Sequence, residues 1–440
     1  MEKSEILQKI KDAGIVGAGG AGFPTHIKLN CKAEFVIANA AECEPLLRTD
    51  RLLMEHYPKK VIAGMKAAMQ CAEAKRGIIA IKAKYHKAID ALEAAMQGDR
   101  SIEIMEMKSF YPAGDEQQMV YQATGRVVPT GGLPLDVGAV VQNVATLANI
   151  ADAIEGKPVI DKYVTVNGQV GSPATFKVPI GTSVRTLIEA ADGPGDLSDY
   201  SIIIGGPAMG RITEDADEPV QKTTGGILVF RKDHPLIQKK TGNPQQDLRL
   251  AKSVCCQCNY CTQLCPRNAL GLKVEPHKIM RALAMNAPEG MGDVNGVFSC
   301  CDCGICTLYA CNFSLAPSRM MQRVKQEMMA AGVKPVKKVA NEPSDNLEDI
   351  KVPVSRLLMR LGIDKYDGDL PLKEDFAPVA NVTLPLKMHI GAPAKPVVTT
   401  GEHVEKGQLI ASVAEGVGAN LHASIAGTVT VTDKQIEIAG

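Results

Sequence analysis

Tryptophan is absent from this sequence, and aromatic residues make up only 4% of its 440 residues. Surfaces that stack aromatic rings on bases or sugars are therefore expected to be few. An excess of one charge is also lacking, since Lys+Arg and Asp+Glu both number 49. A protein with this balance is not expected to bind nucleic acid or to carry a polybasic membrane anchor.

Long apolar runs are missing too. The most apolar long stretch, residues 137–154, is interrupted by amide and acidic side chains, so no transmembrane segment is expected. The charged start, Met1 to Lys11, lacks the apolar core of a signal peptide. We therefore expect a cytoplasmic protein, in which thiols stay reduced and cysteines need a reason other than disulfides.

Hydrophobic patterning divides the chain into parts of different character. Strand-like runs alternate with helix-like stretches over the first 155 residues or so, which is typical of an α/β domain. A small α+β pattern follows from Lys162 to about Phe230, and the Cys-rich region comes after it. Residues 332–379 are rich in Pro, Lys and Asp and are predicted to form a tether with one helix near 354–361. Short β runs between Gly turns predict a β-sandwich from Leu384 to the end.

Ten of the 13 cysteines fall between Cys255 and Cys311, in two runs. The runs are Cys255-x2-Cys258-x2-Cys261-x3-Cys265-Pro266 and Cys300-x2-Cys303-x2-Cys306-x4-Cys311. The first has the spacing of bacterial two-cluster ferredoxins, in which the fourth Cys binds the other cluster. This rule pairs Cys255, Cys258, Cys261 and Cys311 on one [4Fe-4S] cluster, and Cys300, Cys303, Cys306 and Cys265 on the other. A zinc site is the alternative, but zinc does not need three consecutive x2 spacings.

A glycine run, Gly14-Ile-Val-Gly17-Ala-Gly19-Gly20-Ala-Gly22-Phe23, lies near the start of the α/β domain. Such a loop lets backbone N–H groups approach a phosphate without interference from Cβ atoms. No good strand precedes it, so an ordinary NAD fingerprint fits poorly. Taken alone, the run is equally compatible with a tight structural turn.

Polar segments elsewhere in the same domain support a ligand site. Asn39-Ala-Ala-Glu42-Cys-Glu44 follows an apolar run, so these polar groups are expected at the carboxyl end of a strand, where α/β sheets bind ligands. Tyr111-Pro-Ala-Gly114-Asp115-Glu116 follows a segment of turn character, and Gln142-Asn143-Val-Ala-Thr146 is predicted to begin a helix. Each acidic pair alone is typical of a solvated turn, but together they predict a polar ring around the glycine loop.

These motifs carry a family resemblance over essentially the whole chain. Residues 17–25, the Asn39 to Pro45 segment and Gly114-Asp115-Glu116 resemble the flavin-carrying, NADH-oxidising subunit of respiratory complex I and, more closely, the C subunit of the Rnf complex. The closest resemblance is to cobalamin reductases of propanediol-utilisation microcompartments. It implies an FMN/NADH-binding α/β domain at 1–157, a β-grasp, SLBB-like domain at 158–235 and a helical two-[4Fe-4S] domain at 245–331. A linker at 332–380 and a biotinyl/lipoyl-like β-sandwich at 381–440 complete the implied order of domains.

The resemblance also implies roles for single residues. Gly17, Gly19 and Gly20 are expected near the FMN phosphate and ribityl chain. The rest of the flavin is expected to contact Lys28, Asn39, Glu42, Gly114 and Asn143. The nicotinamide side is expected to be lined by Phe23, Glu44, Asp115 and Glu116. The predicted cofactor set is completed by Gly22, Tyr111 and Thr146. No catalytic acid or base is expected, because the cofactors carry the chemistry.

The implied function is transfer of electrons from NADH through FMN and two [4Fe-4S] clusters to cobalamin, inside a bacterial microcompartment. The implied partners are a corrinoid adenosyltransferase or microcompartment proteins. Two alternatives stay open: an Rnf-type subunit feeding a membrane complex, and a non-catalytic iron–sulfur docking scaffold. The tail resembles a cofactor carrier, but residues 414–425 contain no Lys to bear a cofactor. We therefore interpret it as a docking or packing module whose C-terminal position favours the cobalamin reductases.

The cysteine assignment makes a direct prediction. Cys258→Ala or Cys303→Ala should each remove one cluster and leave flavin bound, because the ligands lie in a separate domain. Cys256→Ala and Cys301→Ala serve as matched controls, since we expect these neighbouring thiols to be bystanders. Iron and flavin counts on the purified proteins check this. Equal iron in Cys258→Ala and the parent would contradict the assignment.

Overall fold

A computed structural model describes residues 1–413 and 416–440 of the chain. The first domain has a four-stranded parallel sheet of order β3-β2-β1-β5. Its strands are β1 (Phe35–Ala40), β2 (Arg76–Lys82), β3 (Ile102–Met107) and β5 (Ala139–Asn143), and β4 (Phe110–Tyr111) lies outside this sheet. Its helices are α1 (Lys3–Asp12), α2 (Thr25–Leu29), α3 (Thr49–His56), α4 (Pro58–Cys71), α5 (His86–Met96), α6 (Glu116–Thr124) and α7 (Val144–Ile154). The central strands are almost continuously apolar because helices cover both faces of the sheet.

The helix predicted to begin within residues 142–146 is present as α7, but it begins at Val144. Gln142 and Asn143 end β5, and the Asn143 side chain caps α7 by accepting from the Ala145 N–H at 2.8 Å. Since β5 runs parallel to β1, Asn143 lies beside Asn39 in register. The carboxyl ends of both strands therefore present their amides at the same edge.

The second domain is built on a mixed sheet of order β12-β7-β6-β10-β8-β9. Its elements are β6 (Asp161–Gly168), β7 (Ala174–Pro179), α8 (Val184–Ala190), β8 (Tyr200–Ile204), β9 (Arg211–Thr213) and β10 (Gly226–Arg231). Strands β6 and β10 are parallel, whereas β6 and β7 form an antiparallel hairpin. The cap of α8 is Ser183 rather than the neighbouring Thr182, because the Ser183 hydroxyl accepts from the Thr186 N–H.

The Cys-rich domain consists of short helices. They are α9 (Pro235–Lys240), α10 (Pro244–Val254), α11 (Tyr260–Gln263), α12 (Pro266–Ala269), α13 (Pro276–Met285), α14 (Val294–Phe298) and α15 (Pro317–Ala330). A π-helical turn at Cys306–Ala310 occupies in the second Cys run the place of α11 in the first. The two runs therefore fold as related halves that pack against each other.

The segment predicted to be a tether contains a packed part that begins near residue 352, after a largely exposed stretch. It contains β11 (Val352–Pro353), α16 (Val354–Leu361) and β12 (Leu372–Lys373). β11 pairs with β4 of the first domain, and β12 extends the second domain's sheet beside β7. Arg48 of the first domain donates to Asp367 at 2.5 Å. This segment thus ties the first two domains together, a role that its Pro- and Lys-rich composition does not reveal.

The tail forms the predicted two-sheet sandwich. One sheet has the order β13-β19-β18-β15 and the other β14-β16-β17. The strands are β13 (Asn381–Pro385), β14 (Lys395–Pro396), β15 (His403–Val404), β16 (Leu409–Ser412), β17 (Leu421–His422), β18 (Gly427–Val431) and β19 (Gln435–Ala439). Of the Lys-free stretch 414–425, Ala414 and Glu415 lie outside the described residues.

The helices of the described ranges are short. Within residues 1–413 and 416–440, every helix is too short or too polar to cross a bilayer.

The packed role of residues 350–373 can be tested on α16. Leu357 is fully buried and Met359 is 68% exposed on the same helix. Leu357→Ala should lower the free energy of unfolding by about 2–5 kcal/mol, because it leaves a cavity among buried side chains. Met359→Ala is the matched control and should change it little. Denaturant unfolding followed by far-UV circular dichroism measures both, and equal effects would contradict a packed segment.

Candidate functional site

A cleft with a volume of 1220 Å³ lies between the first and second domains. Its floor is the carboxyl edge of β1 and β5, and its walls are the glycine loop and the second domain's loops around 205–211 and 221–225. Most of the predicted cofactor residues line it: Gly17, Gly19, Gly20, Gly22, Phe23, Lys28, Asn39, Glu42, Glu44, Gly114, Asp115, Glu116 and Asn143. Tyr111 and Thr146 lie behind this surface and act on it through hydrogen bonds.

The conformation of the glycine loop is fixed by hydrogen bonds from two domains. The Gly17 N–H donates to the Phe23 carbonyl at 3.0 Å and closes the loop. The Ala18 N–H donates to the Thr146 hydroxyl at 2.9 Å, and the Lys162 ammonium donates to the Ala18 carbonyl at 3.0 Å. Thr146 therefore shapes the loop from α7, and Lys162 does so from β6.

The glycines of this loop have different reasons to be glycine. A Cβ on Gly19 would lie 2.7 Å from the Asn143 amide nitrogen, and one on Gly22 would lie 3.0 Å from a Thr223 methyl. A Cβ on Gly20 would meet no protein atom within 4 Å. Gly20 is thus the position where a side chain would enter open space rather than the protein itself.

The Glu42 carboxylate forms hydrogen bonds with backbone groups of its own domain. Its carboxylate accepts from the Asp50 N–H at 2.8 Å and from the Arg51 N–H at 3.3 Å, at the start of α3. Burial raises the pKa of Glu42, and burial together with the Glu42 charge raises the pKa of Asp50 to about 7. The Glu42 carboxylate thus accepts from the first N–H groups of α3, where the helix dipole favours a negative charge. Its contact with flavin stays a prediction.

Glu44 is likewise engaged at the boundary between domains. Its carboxylate accepts from the Ala208 N–H at 2.8 Å and from the Met209 N–H at 3.2 Å. The Tyr111 hydroxyl lies 2.9 Å from Glu44 Oε1 and 2.8 Å from the Cys303 carbonyl oxygen. Burial raises the pKa of Glu44. Glu44 therefore anchors the second domain's loop to the cleft, in addition to lining it.

Asp115 joins the first domain to the Cys-rich domain. Both of its oxygens accept from the Arg267 guanidinium, at 2.7 and 2.5 Å. The two side chains are only 5% and 8% exposed. Burial alone would lower the pKa of Arg267, but the charge of Asp115, its hydrogen bond and the charges of other neighbours together raise that pKa. The structure therefore gives Asp115 a docking role between the two domains. The contact with nicotinamide that the resemblance implies stays a prediction.

The eight predicted cluster cysteines form two neighbouring sets. Burial, with repulsion from Cys311, Cys255 and Cys258, raises the pKa of Cys261 to about 12. Burial, with repulsion from Cys300, Cys265 and Cys261, raises the pKa of Cys306 well above its ordinary value. Cys311 therefore lies near thiols of the first run, and Cys265 lies near thiols of the second. The ligand pairing expected from the ferredoxin spacing stays a prediction. We call Cys255, Cys258, Cys261 and Cys311 the outer set, and Cys265, Cys300, Cys303 and Cys306 the inner set.

Among residues 1–413 and 416–440, no three His, Cys, Asp or Glu side chains are gathered closely enough to hold a single ion.

Three residues of the site were missed from the sequence. Asp50 accepts from the Asn143 amide at 2.7 Å, and burial lowers the pKa of Lys162 to about 8. Lys222, fully enclosed behind the loop, donates to the Gly14 carbonyl at 2.6 Å and to the Asn420 carbonyl at 2.7 Å. Asp50 follows the Asn39 to Pro45 motif closely enough to have been included. Lys162 and Lys222 carry no local signal, because they reach the loop only through the packing of domains.

Four family descriptions match successive parts of the chain. They are the Nuo51 FMN-binding domain at residues 10–152, the SLBB domain at 163–212, the 4Fe-4S dicluster domain at 254–316 and the RnfC barrel sandwich hybrid domain at 369–439. These matches confirm the predicted fold class and the flavin and iron–sulfur cofactors.

Two full-length relatives are cobalamin reductases named PduS. The protein from Salmonella typhimurium is 40% identical over 438 residues, covering 99% of this chain and 96% of its own. The protein from Citrobacter freundii is 40% identical over 437 residues, covering 98% and 96%. The chain belongs to the cobalamin reductase PduS family. The C subunit of the Na⁺-translocating ferredoxin:NAD⁺ oxidoreductase complex of Acetobacterium woodii is 37% identical, but over 60% of this chain and 58% of its own. The PduS family resemblance thus extends over the whole length, including the tail.

The open space at Gly20 makes a sharp test of the cleft. Gly20→Val should yield protein with little flavin, because the new side chain enters the cleft; overpacking typically costs about 1–3 kcal/mol, or about ten- to a hundredfold in affinity. Gly195→Val is the matched control, since Gly195 also has open space but lies outside the cleft. Flavin fluorescence after denaturation and an iron count measure the result. Full flavin and normal NADH oxidation in Gly20→Val would make the loop a structural turn.

Proposed function

We propose that this protein is an NADH-dependent cobalamin reductase in which electrons enter at the interdomain cleft and leave through the Cys-rich domain. The observation that carries the proposal is the adjacency of the two sites: Cys301 and Cys303 border the same cleft as the glycine loop. When bound, FMN accepts a hydride and releases electrons singly, and each [4Fe-4S] cluster carries one.

The residues of the cleft fit a phosphate-bearing flavin. The glycine loop offers exposed backbone at Gly19 and Gly20, and burial lowers the pKa of the neighbouring Lys28, which an anionic phosphate would offset. We assign Gly17, Gly19 and Gly20 to the phosphate and ribityl chain. Asn39, Gly114 and Asn143 are assigned to the rest of the flavin, and Phe23 and Glu116 to the nicotinamide side. These residues bind and orient; none is required to move a proton.

The acceptor is proposed from the relatives. Both full-length relatives are named cobalamin reductases, so we propose a corrinoid as the electron acceptor. We further propose that the protein works in the cytoplasm inside a microcompartment, beside an adenosyltransferase that uses the reduced cobalt.

Transfer to or from a membrane complex is the second candidate, because an Rnf-type relative shares 37% identity with part of the chain. The extent of similarity favours the reductase, since that relative matches only 60% of the chain and the Salmonella reductase matches 99%. The match of the tail to the barrel sandwich hybrid domain supports our interpretation of it as a docking or packing module.

The test is an anaerobic titration of protein purified without detergent. NADH should bleach the flavin and then reduce cob(III)alamin, with about two cobalt centres reduced per NADH because each accepts one electron. Visible spectra at the flavin and cobalamin bands measure both steps. Flavin bleaching without cobalamin reduction would favour the Rnf-type function, and absence of bleaching in a flavin-loaded protein would favour a docking scaffold.

A further inference from the structure

The cationic side chains that line the interdomain cleft differ in whether an acid neutralises them. They are Lys28, Lys60, Lys162 and Arg211. The Lys60 ammonium lies 2.7 Å from an Asp152 oxygen, and Arg211 forms an ion pair with Glu218. Among residues 1–413 and 416–440, no carboxylate oxygen lies within 4.0 Å of the ammonium of Lys28 or Lys162. Two cations of the cleft therefore lack a close counter-charge.

Lys162 is the one of these two that comes from the second domain. It lies on β6, in the interior of that domain's sheet between β7 and β10, and is only 9% exposed. Its ammonium donates to the Ala18 carbonyl of the glycine loop at 3.0 Å, which is its only hydrogen bond to the described residues. Since an ammonium has three N–H groups, two remain available beside the loop.

The acid that acts on Lys162 is a weak counter-charge. This acid is Asp50, whose carboxylate accepts from the Asn143 amide at 2.7 Å. Burial and the Glu42 charge raise the pKa of Asp50 to about 7, so at neutral pH this carboxyl carries only part of a charge. A buried ammonium without a full partner costs free energy, and a bound anion beside it would offset that cost.

The backbone next to Lys162 suits a phosphate. Gly19 and Gly20 follow Ala18 directly and are exposed, and a Cβ on Gly20 would meet no protein atom within 4 Å. Exposed backbone N–H groups of this kind bind phosphate oxygens. A lysine binds phosphate as a compact charge, and burial strengthens the attraction. The first domain thus offers backbone donors, and the second domain offers a charge at the same loop.

We propose that Lys162 binds the phosphate group of FMN and makes the cleft prefer FMN over flavins that lack a phosphate. The proposal rests on the function proposed above, in which FMN occupies this cleft. It gives the second domain a direct part in cofactor binding, beyond its packing against the loop. The diphosphate of NADH is the other phosphate source in the cleft, and the experiment separates the two.

Lys222 provides a matched comparison, because it supports the same loop without facing the cleft. It is buried like Lys162, and its ammonium donates to the Gly14 carbonyl at 2.6 Å. It is not one of the described residues that line the cleft. Loss of support for the loop should weaken binding of every flavin equally, whereas loss of a phosphate contact should weaken binding of FMN alone.

The test compares the dissociation constants of FMN and riboflavin for full-length protein freed of flavin, measured by fluorescence quenching. In Lys162→Gln, whose amide can still donate to the Ala18 carbonyl, the constant for FMN should rise about ten- to a hundredfold. The constant for riboflavin should stay close to that of the parent. Lys162→Arg keeps the charge and should recover most of the preference for FMN. Lys222→Met should change both constants by the same factor.

Equal weakening of both flavins in Lys162→Gln would reduce Lys162 to a support of the loop and overturn the proposal. A loss of FMN preference in Lys222→Met as large as in Lys162→Gln would overturn it too. If the FMN constant is unchanged but more NADH is needed for half-maximal flavin bleaching, the charge serves the nucleotide diphosphate and the assignment to flavin is wrong. A parent that binds no FMN would instead overturn the proposed function, so the two failures are distinguishable.

A second measurement uses the parent protein and decides the question if the Lys162 variants do not fold. Acetic anhydride labels accessible amines, and peptide mass spectrometry reports each lysine separately. In flavin-free protein, inorganic phosphate should slow the labelling of Lys162 several-fold relative to chloride at equal ionic strength. Lys60, which also lines the cleft but is paired with Asp152, is the internal control and should be labelled at the same rate in both salts. Absence of protection at Lys162, or equal protection of both lysines, would contradict the proposal.

Discussion

Arg267 and Asp115 form a buried, two-pronged ion pair between the first domain and the Cys-rich domain. Removing either partner of such a pair leaves an uncompensated buried charge, which costs about 3–5 kcal/mol. The guanidinium also donates to the Ser299 carbonyl. Arg267 therefore links the backbone just before Cys300 to the backbone just after Cys265. The pair acts together with the contacts of Tyr111 to the Cys303 carbonyl and of Gln118 to the Pro266 carbonyl, which also join the two domains. Arg267 follows Cys265-Pro266 directly in the chain. One short segment therefore carries both a predicted cluster ligand and the residue that joins the Cys-rich domain to the first domain.

A second buried cation organises the far side of the glycine loop. Lys222 links the Gly14 carbonyl to the Asn420 carbonyl of the sandwich, and burial lowers its pKa to about 7. A Cβ on Gly14 would lie 2.3 Å from the Asn420 oxygen, in a backbone with φ +68° that favours glycine. The glycine run therefore serves two purposes. Gly14 and Gly22 let other domains pack against the loop, while Gly20 leaves space on the cleft side.

Much of the local structure was predictable because its causes are local. The apolar runs at Phe35, Gly77 and Ile102 are strands of the parallel sheet, and the β runs of the tail pair as a sandwich. The start of α7 at Val144 rather than at Gln142 has a local cause too, since Asn is as suitable for ending a strand as for capping the next helix. The packing of segment 332–379 could not be predicted, because its short strands are stabilised by partners far away in the chain: Tyr111 pairs with Val352, and Thr175 pairs with Leu372.

The sequence by itself determined the chemistry. The Cys spacings define two thiol sets because cluster geometry restricts how few residues can separate neighbouring ligands, and the glycine run marks where backbone can approach a phosphate. Only the tertiary structure decided which hydrogen-bond donors the acidic groups of the cleft meet. From the sequence, Glu42, Glu44 and Asp115 are all acidic residues of polar loops. In the structure, Glu42 accepts from an N–H at the start of α3, Glu44 accepts from the Ala208 N–H, and Asp115 accepts from Arg267. A buried carboxylate must be satisfied by whatever donors folding brings to it, and those donors come from distant parts of the chain. The same packing placed Cys303, one member of the inner set, at the cleft.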